Sequence, residues 1–245
     1  MTDLLIDVAD GVATLTMNRP DARNALSLEM RSGMHDFLDA HEFDDSVRVV
    51  VIKGAGDHFM AGGDVKSFAQ MAKEQSPEEM RTHFLHRIHN LHGFISAMRR
   101  FPKPIIASTR GAVAGAGVSL AAACDLIIAS DDSFYTLAYC HIGISPDGSA
   151  TYSLPRMVGV KKAMEMVLLG DRIDAETMAT AGLVNKVVPA DALDEEVARE
   201  PRVRVAAVGR RRDLAPVGVA AQPEQPRPLV EQRVDLVGGV AELAR

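Results

Sequence analysis

A chain of 245 residues that is 47% hydrophobic can bury one sizeable core. Its net charge of −6, with no dense basic run, argues against a nucleic-acid surface, and two cysteines, Cys124 and Cys140, without metal-ligand or disulfide-framework spacing, fit a reducing cytosol. The start Met1-Thr2-Asp3-Leu4-Leu5 is not a basic, apolar leader, and no stretch reaches about 18 uncharged apolar residues, so neither an export signal nor a membrane span is expected and the protein is assigned to the cytoplasm.

In chain order, Leu4 to Val8 and Val12 to Met17 read as two strands around the Asp10-Gly11 turn. A helix follows from Ser27, with Met30, Met34, Phe37 and Leu38 on one face. Val47 to Ile52 is a fully apolar strand ending in Gly54. Ser76-Pro77 signals a helix start, Ser as the cap and Pro in the first turn. That helix runs toward Met98, with Phe84, Ile88, Leu91 and Ile95 on a stripe. Strands are expected at Pro104 to Ala107, Asp125 to Ala129 and about Ser133 to Ala138. Helices are expected at Val118 to Ala123 and near Lys161 to Leu169, the second closed by Gly170. Alternating strands and helices imply a mixed α/β fold.

Three stretches carry chemistry: His58 to Val65, Gly111 to Leu120, and Ile144 to Gly148. The first two are Gly-rich turns after apolar runs, and the second opens a helix, an arrangement that presents unpaired backbone N–H groups. Such donors stabilise negative charge developing on a carbonyl oxygen. The third contributes Asp147, between Pro146 and Gly148, a carboxylate able to take and return a proton. Asp64 and Asp125 suit capping or loop hydrogen bonds, and Asp131-Asp132 a solvated turn. His83, His86, His89 and His92 recur every three residues, a spacing that drifts about 60° per step around a helix, so the four cannot converge on one metal. His83 and His86 fall on the solvent side, and His92 lies beside the apolar stripe.

The order and spacing of these stretches resemble the crotonase (enoyl-CoA hydratase/isomerase) superfamily from about Leu4 to Val197. The likeness extends to Asn18-Arg19-Pro20-Asp21-Ala22-Arg23-Asn24-Ala25-Leu26, to Ala123-Cys124-Asp125-Leu126-Ile127, and to the blocks Pro155 to Gly159 and Gly182 to Val188. The resemblance implies a spiral of ββα units, an acyl-CoA substrate and no metal or redox cofactor. It implies that the N–H groups of Gly63 and Ala116 hold the thioester oxygen; relatives commonly have Gly at position 116, and a backbone donor survives the change. It places Arg23, Ala61, Gly62, Gly63 and Asp64 at the coenzyme A, the Ala61 carbonyl meeting adenine and Arg23 near the phosphates. Family isomerases carry a proton-shuttling acid at the position of Asp147. The two glutamates of family hydratases align with Ser119 and Tyr139, and no Glu occurs between Glu79 and Glu165, so two-carboxylate hydration is not expected. The family also implies a homotrimer or hexamer.

A narrower likeness, from His83-Phe84 through His92, with Tyr139, Ile142-Gly143 to Asp147 and Ala150 to Leu154, is to 4-chlorobenzoyl-CoA dehalogenase. It implies Asp147 as nucleophile and His92 as the base that activates water, with Tyr139 standing where the dehalogenase has Trp. The sequence therefore favours an enoyl-CoA isomerase or hydratase type of proton transfer. Dehalogenation or thioester hydrolysis through Asp147 and His92 is the rival, and a CoA-thioester-binding pseudoenzyme the third reading.

From Pro201 to Arg245 the chain has no Ile, Phe, Met, Tyr, His, Ser, Thr, Lys or Asn, and five prolines interrupt any long helix. This divides the sequence into a crotonase-like core, 1–197, and an atypical segment, 198–245, in place of the family's trimer-building helices. A departure from the usual reading frame near Arg199 to Arg204 would account for it.

Overall fold

The computed structural model describes residues 2–199. The low-complexity stretch from residue 200 onward, and with it the reading-frame explanation, lies outside the described residues.

Two antiparallel strands, β1 (Leu4–Ala9) and β2 (Val12–Met17), start the chain, and α1 (Leu28–His41) follows. Ser27 caps α1 by accepting the Met30 N–H, a contact worth about 1 kcal/mol, and the buried face is Met30, Met34, Phe37 and Leu38, as the periodicity requires. β3 (Val49–Gly54) starts two residues later than expected, although Val47 is fully buried. α2 (Val65–Glu74) was not foreseen; α3 (Pro77–Arg100) was, with a Ser76/Glu79 capping box and Pro at its start.

Then come β4 (Ile105–Thr109), β5 (Ala112–Ala114), α4 (Ala116–Ala123), β6 (Leu126–Ser130) and β7 (Phe134–Thr136). The chain continues through α5 (Ala150–Met157), α6 (Gly159–Leu169, closed by Gly170 at φ 65°), β8 (Ile173–Asp174), α7 (Ala175–Thr180), β9 (Lys186–Val188) and α8 (Leu193–Arg199). Among the described residues no helix is long and apolar enough to cross a membrane.

The main sheet has the order β1-β2-β3-β4-β6-β9, parallel from β2 onward; a smaller one has the order β5-β7-β8. The central strand β3 is apolar on both faces because both are covered. Val50 and Ile52 join the principal core, while Val49 and Val51 face a second cluster with Ile106, Ile128, Leu193 and Val197, where α8 closes the sheet. Every residue of α4 is buried, which its small side chains permit. A Cβ on Gly117 would lie 2.6 Å from the Met60 carbonyl oxygen, so glycine lets α4 approach the loop carrying residue 60.

Gly148 is constrained in two ways: its φ is +57°, and an added Cβ would lie 2.7 Å from the Ser119 Cβ. Gly148→Ala is expected to destabilise the fold by roughly 2–4 kcal/mol, the sum of left-handed strain and overpacking, read as a fall in the denaturation midpoint at unchanged m-value.

Candidate functional site

The loops that follow the parallel strands β3 and β4 leave the same end of the sheet, where ligands of α/β folds gather. Asn24, fully buried at φ 56°, pins the first loop by donating to the carbonyls of Ala55 (3.0 Å) and His58 (2.7 Å) while accepting the Arg19 N–H (2.9 Å). The two loops then pair in parallel: Met60 N–H donates to the Ala112 carbonyl at 3.0 Å and Ala114 N–H to the Met60 carbonyl at 2.8 Å. Residue 60 lies opposite 113, and beyond this bridge Gly62 lies against Gly115, each one residue before Gly63 and Ala116.

Close backbone approach maintains that register. A Cβ on Gly115 would sit 3.6 Å from the Gly62 Cα, and both glycines have positive φ, 50° and 94°. Gly115 N–H is spent on the Thr136 carbonyl (2.9 Å), and Gly62 accepts the Leu26 N–H (2.8 Å). The N–H groups of Gly63 and Ala116 have no hydrogen-bond partner among the described residues. Ala116 is the first residue of α4, so its N–H is one of the unpaired amides at the positive end of a helix.

Both residues line a cavity of about 760 Å³, within the range of small-molecule sites. Its walls are apolar, including Leu26, Phe68, Phe84, Ile88, Leu91 and Leu137; its polar side chains include Arg31, Arg87, His92, Tyr139 and Asp147. Phe84 and Ile88, read from the sequence as core, are half-buried because they form this wall.

Tyr139 follows Ala138, a non-glycine residue at φ 52°, and its hydroxyl donates to Asp147 Oδ1 at 2.6 Å. The Asp147 carbonyl is held by the Ser119 hydroxyl (3.0 Å) and the Ala150 N–H (3.1 Å). Ser119 thus fixes the backbone of Asp147, the one carboxylate among the described residues that lines the cavity. Burial, reinforced by the Asp147 charge, pushes the Tyr139 phenol well above the ordinary tyrosine range, so it remains a donor. Burial raises Tyr135 in the same direction. Both phenols bind their protons more tightly when folded. Their contribution is complete below about pH 10 and is lost above it as the unfolded tyrosines ionise. Chemical denaturation against pH should show stability falling above about pH 10, with a shallower slope for Tyr135→Phe.

His92 lines the cavity from an exposed position on α3 rather than a buried one, and its ring makes no hydrogen bond among the described residues. His83, expected to face solvent, is half-buried instead, with Nε2 enclosed and unpartnered. Among the described residues no group of three or more His, Cys, Asp or Glu could hold a metal.

Of the residues assigned to coenzyme A, Ala61, Gly62 and Gly63 line the cavity, whereas Arg23 and Asp64 do not. Arg23 is exposed at φ 50° and accepts the Ala61 N–H through its carbonyl (2.9 Å). Asp64 caps α2 through the Ser67 N–H (3.1 Å) and pairs with Arg19 (3.1 Å). Burial works to raise its pKa, and the Ser67 amide and Arg19 together outweigh that and hold it low. Its carboxylate is spent on the frame. Asp125 likewise accepts the Ile105 N–H at 2.8 Å, and Asp131 and Asp132 are exposed.

Sequence reading passed over Arg31, on α1, and Arg87, on α3. Arg87 stacks over the Phe68 ring, 4.7 Å from its centroid, and burial and nearby Arg31 lower its pKa. The signal was present: Arg87 is three residues after Phe84 and four before Leu91, on the very stripe read as apolar.

The family model for enoyl-CoA hydratase/isomerase matches residues 7–206. A trans-2-decenoyl-acyl-carrier-protein isomerase of Streptococcus mutans is 34% identical over 194 residues, 79% of this chain and 72% of that protein. A 4-chlorobenzoyl coenzyme A dehalogenase-2 of an Arthrobacter species is 33% identical over 182 residues, 74% of this chain and 64% of that one. Among solved structures, an enoyl-CoA hydratase from a Polaromonas species superposes with a TM-score of 0.74 at 36% identity, covering 80% of this chain and 75% of that one. The fold is that of the crotonases. The chain belongs to the enoyl-CoA hydratase/isomerase family.

Proposed function

We propose that the protein moves a proton on an enoyl-CoA through an enolate, an isomerase or hydratase type of reaction. The observation that carries this reading is that two unpartnered backbone N–H groups, of Gly63 and Ala116, share one cavity with the Asp147 carboxylate. Asp147 Oδ1 is occupied by the Tyr139 hydroxyl, and Oδ2 has no hydrogen-bond partner among the described residues. Oδ2 takes the proton from Cα; the released electron pair moves to the thioester oxygen, which the two donors stabilise. Return of that proton to Cγ reforms the carbonyl and shifts the double bond between Cβ and Cγ to Cα and Cβ. Tyr139 keeps its own proton and orients the carboxylate. No cofactor is invoked beyond the coenzyme A of the substrate, with Ala61, Gly62 and Arg23 on its side of the site and Asp64 supporting the loop.

Covalent chemistry by Asp147 with His92 is the second reading, supported by their shared cavity and by the relative named as a dehalogenase. It ranks lower because Tyr139 draws on the would-be nucleophile and no described residue hydrogen-bonds to the His92 ring. A binding-only role ranks third. The deciding experiment is exchange of α-protons from saturated and unsaturated acyl-CoA thioesters in deuterated water. Exchange supports the enolate reading. A trapped aspartyl ester without exchange supports the second, and binding without either supports the third.

Assembly into a trimer or hexamer is proposed with this function, supported by the exposed Val160, Met164, Leu168 and Leu169 of α6. A cytoplasmic location is proposed from the two cysteines, neither of which is in a disulfide.

A further inference from the structure

The cavity of an enzyme for plain fatty acyl groups has no need of two guanidinium groups, and those of Arg31 and Arg87 line this one from two different helices. Several arginines have partners, Arg19 in Asp64, Arg110 in Asp194, Arg199 in Glu195 and Arg156 in the Tyr152 carbonyl, while Arg23, Arg81, Arg100 and Arg172, which have no such partner among the described residues, are exposed to solvent and Arg31 and Arg87 are half-buried. Neither Arg31 nor Arg87 has an ion pair or side-chain hydrogen bond among the described residues. Burial lowers the pKa of both, and for Arg87 the Arg31 charge lowers it further while Asp64 and Asp147 act in the opposite direction. Asp64 and Asp147 offset this only in part, since neither forms an ion pair with Arg31 or Arg87 among the described residues, and an anionic ligand group would supply the remaining compensation. Phe68 covers one face of the Arg87 guanidinium, which leaves its in-plane N–H donors for a planar, bidentate acceptor.

We propose that Arg31 and Arg87 form an anion site within the acyl cavity, and that the preferred substrate is an acyl thioester with a second carboxylate at the far end of its acyl chain. The inference rests on the reading of this cavity as an acyl-thioester site. The phosphates of coenzyme A offer the same anionic chemistry from the other side of the thioester. The acyl end is favoured because Arg87 lies within electrostatic reach of Asp147, the group assigned to the acyl carbons, and between the wall residues Phe84 and Leu91 on α3.

The test compares glutaryl, glutaryl monomethyl ester and butyryl groups, each carried on coenzyme A and on phosphate-free pantetheine, with the full-length chain. The expected result is a preference in kcat/KM for exchange of about tenfold or more for glutaryl over its methyl ester on both carriers. In Arg87→Gln and Arg31→Gln that ratio should fall toward one, and Arg87→Lys should recover part of it. A purely structural role would lower all substrates together and leave the ratio intact. Butyryl exchange without any glutaryl preference overturns the inference while the proposed function stands. Loss confined to the coenzyme A series in the arginine variants assigns the pair to the phosphates and also overturns it. If no thioester exchanges, the proposed function has failed; calorimetric binding of glutaryl-CoA against its methyl ester then reads the anion site directly, and equal affinities overturn it.

Discussion

Asp147→Asn should reduce α-proton exchange by about 10²–10⁴-fold while leaving acyl-CoA binding within a few-fold. Asparagine has the shape of aspartate, so Tyr139 can still donate to its carbonyl oxygen, and the Ser119 and Ala150 contacts to the backbone of residue 147 are unaffected. What is lost is the basic oxygen. Among the described residues no other carboxylate lines the cavity, since Asp64 is committed to Ser67 and Arg19 outside it. His92→Gln serves as the contrast: with no hydrogen bond to orient the ring, its replacement should alter exchange by only a few-fold. Equal, large losses from both substitutions would remove the distinction between base and bystander and favour covalent catalysis. Exchange that survived Asp147→Asn would sink the enolate role of Asp147. Exchange in deuterated water, followed by mass spectrometry of the recovered thioester, separates these results.

The sequence made legible whatever rests on local periodicity or local backbone chemistry. α1 and α3 announced themselves through Ser27 and Ser76 caps and apolar spacing, and the turns bearing Gly63 and Ala116 through clustered glycines. Elements fixed by tertiary contact were not legible. β8 and β9 have two and three residues and exist because β7 and β6 offer them edges. α5 contains Pro155, which reads as an interruption, and follows Ser149 at φ 66°, which no propensity anticipates. The site divides in the same way. Asp147 and Tyr139 were each recognised by alignment with relatives, but their hydrogen bond depends on the left-handed Ala138 turning the chain back toward residue 147. Arg31 and Arg87 were missed because their significance is relational: two cations become unusual only when α1 and α3 bring them to one apolar cavity. Asp64 was read in two ways, as a capping carboxylate and, from its family position, as part of the coenzyme A site; the capping role is local chemistry, and the structure shows it at the start of α2.

Ala116→Pro should lower kcat for exchange by about 10²–10³-fold with little change in stability, because it deletes a single N–H at the one kind of helical position that tolerates proline. Ala116 is the first residue of α4, where an amide has no partner within the helix, and it donates to nothing among the described residues. The preceding residue, Gly115, has no Cβ to meet the proline ring, and its φ of 50° and ψ of −118° are the mirror image of the extended region that residues before proline favour, which glycine can adopt. The register of the two loops depends on Met60 with Ala112 and Ala114, and on Gly115 with Thr136, none of which uses the deleted N–H. A loss in kcat at unchanged thermal midpoint would assign this amide to stabilisation of the enolate oxygen, since an interaction made chiefly in the transition state affects turnover more than binding. A matching rise in KM with kcat preserved would mean that it only anchors the ground-state carbonyl. Near wild-type exchange would show that Gly63 alone carries the charge or that the oxygen lies elsewhere in the cavity, and the two-donor site would have to be abandoned.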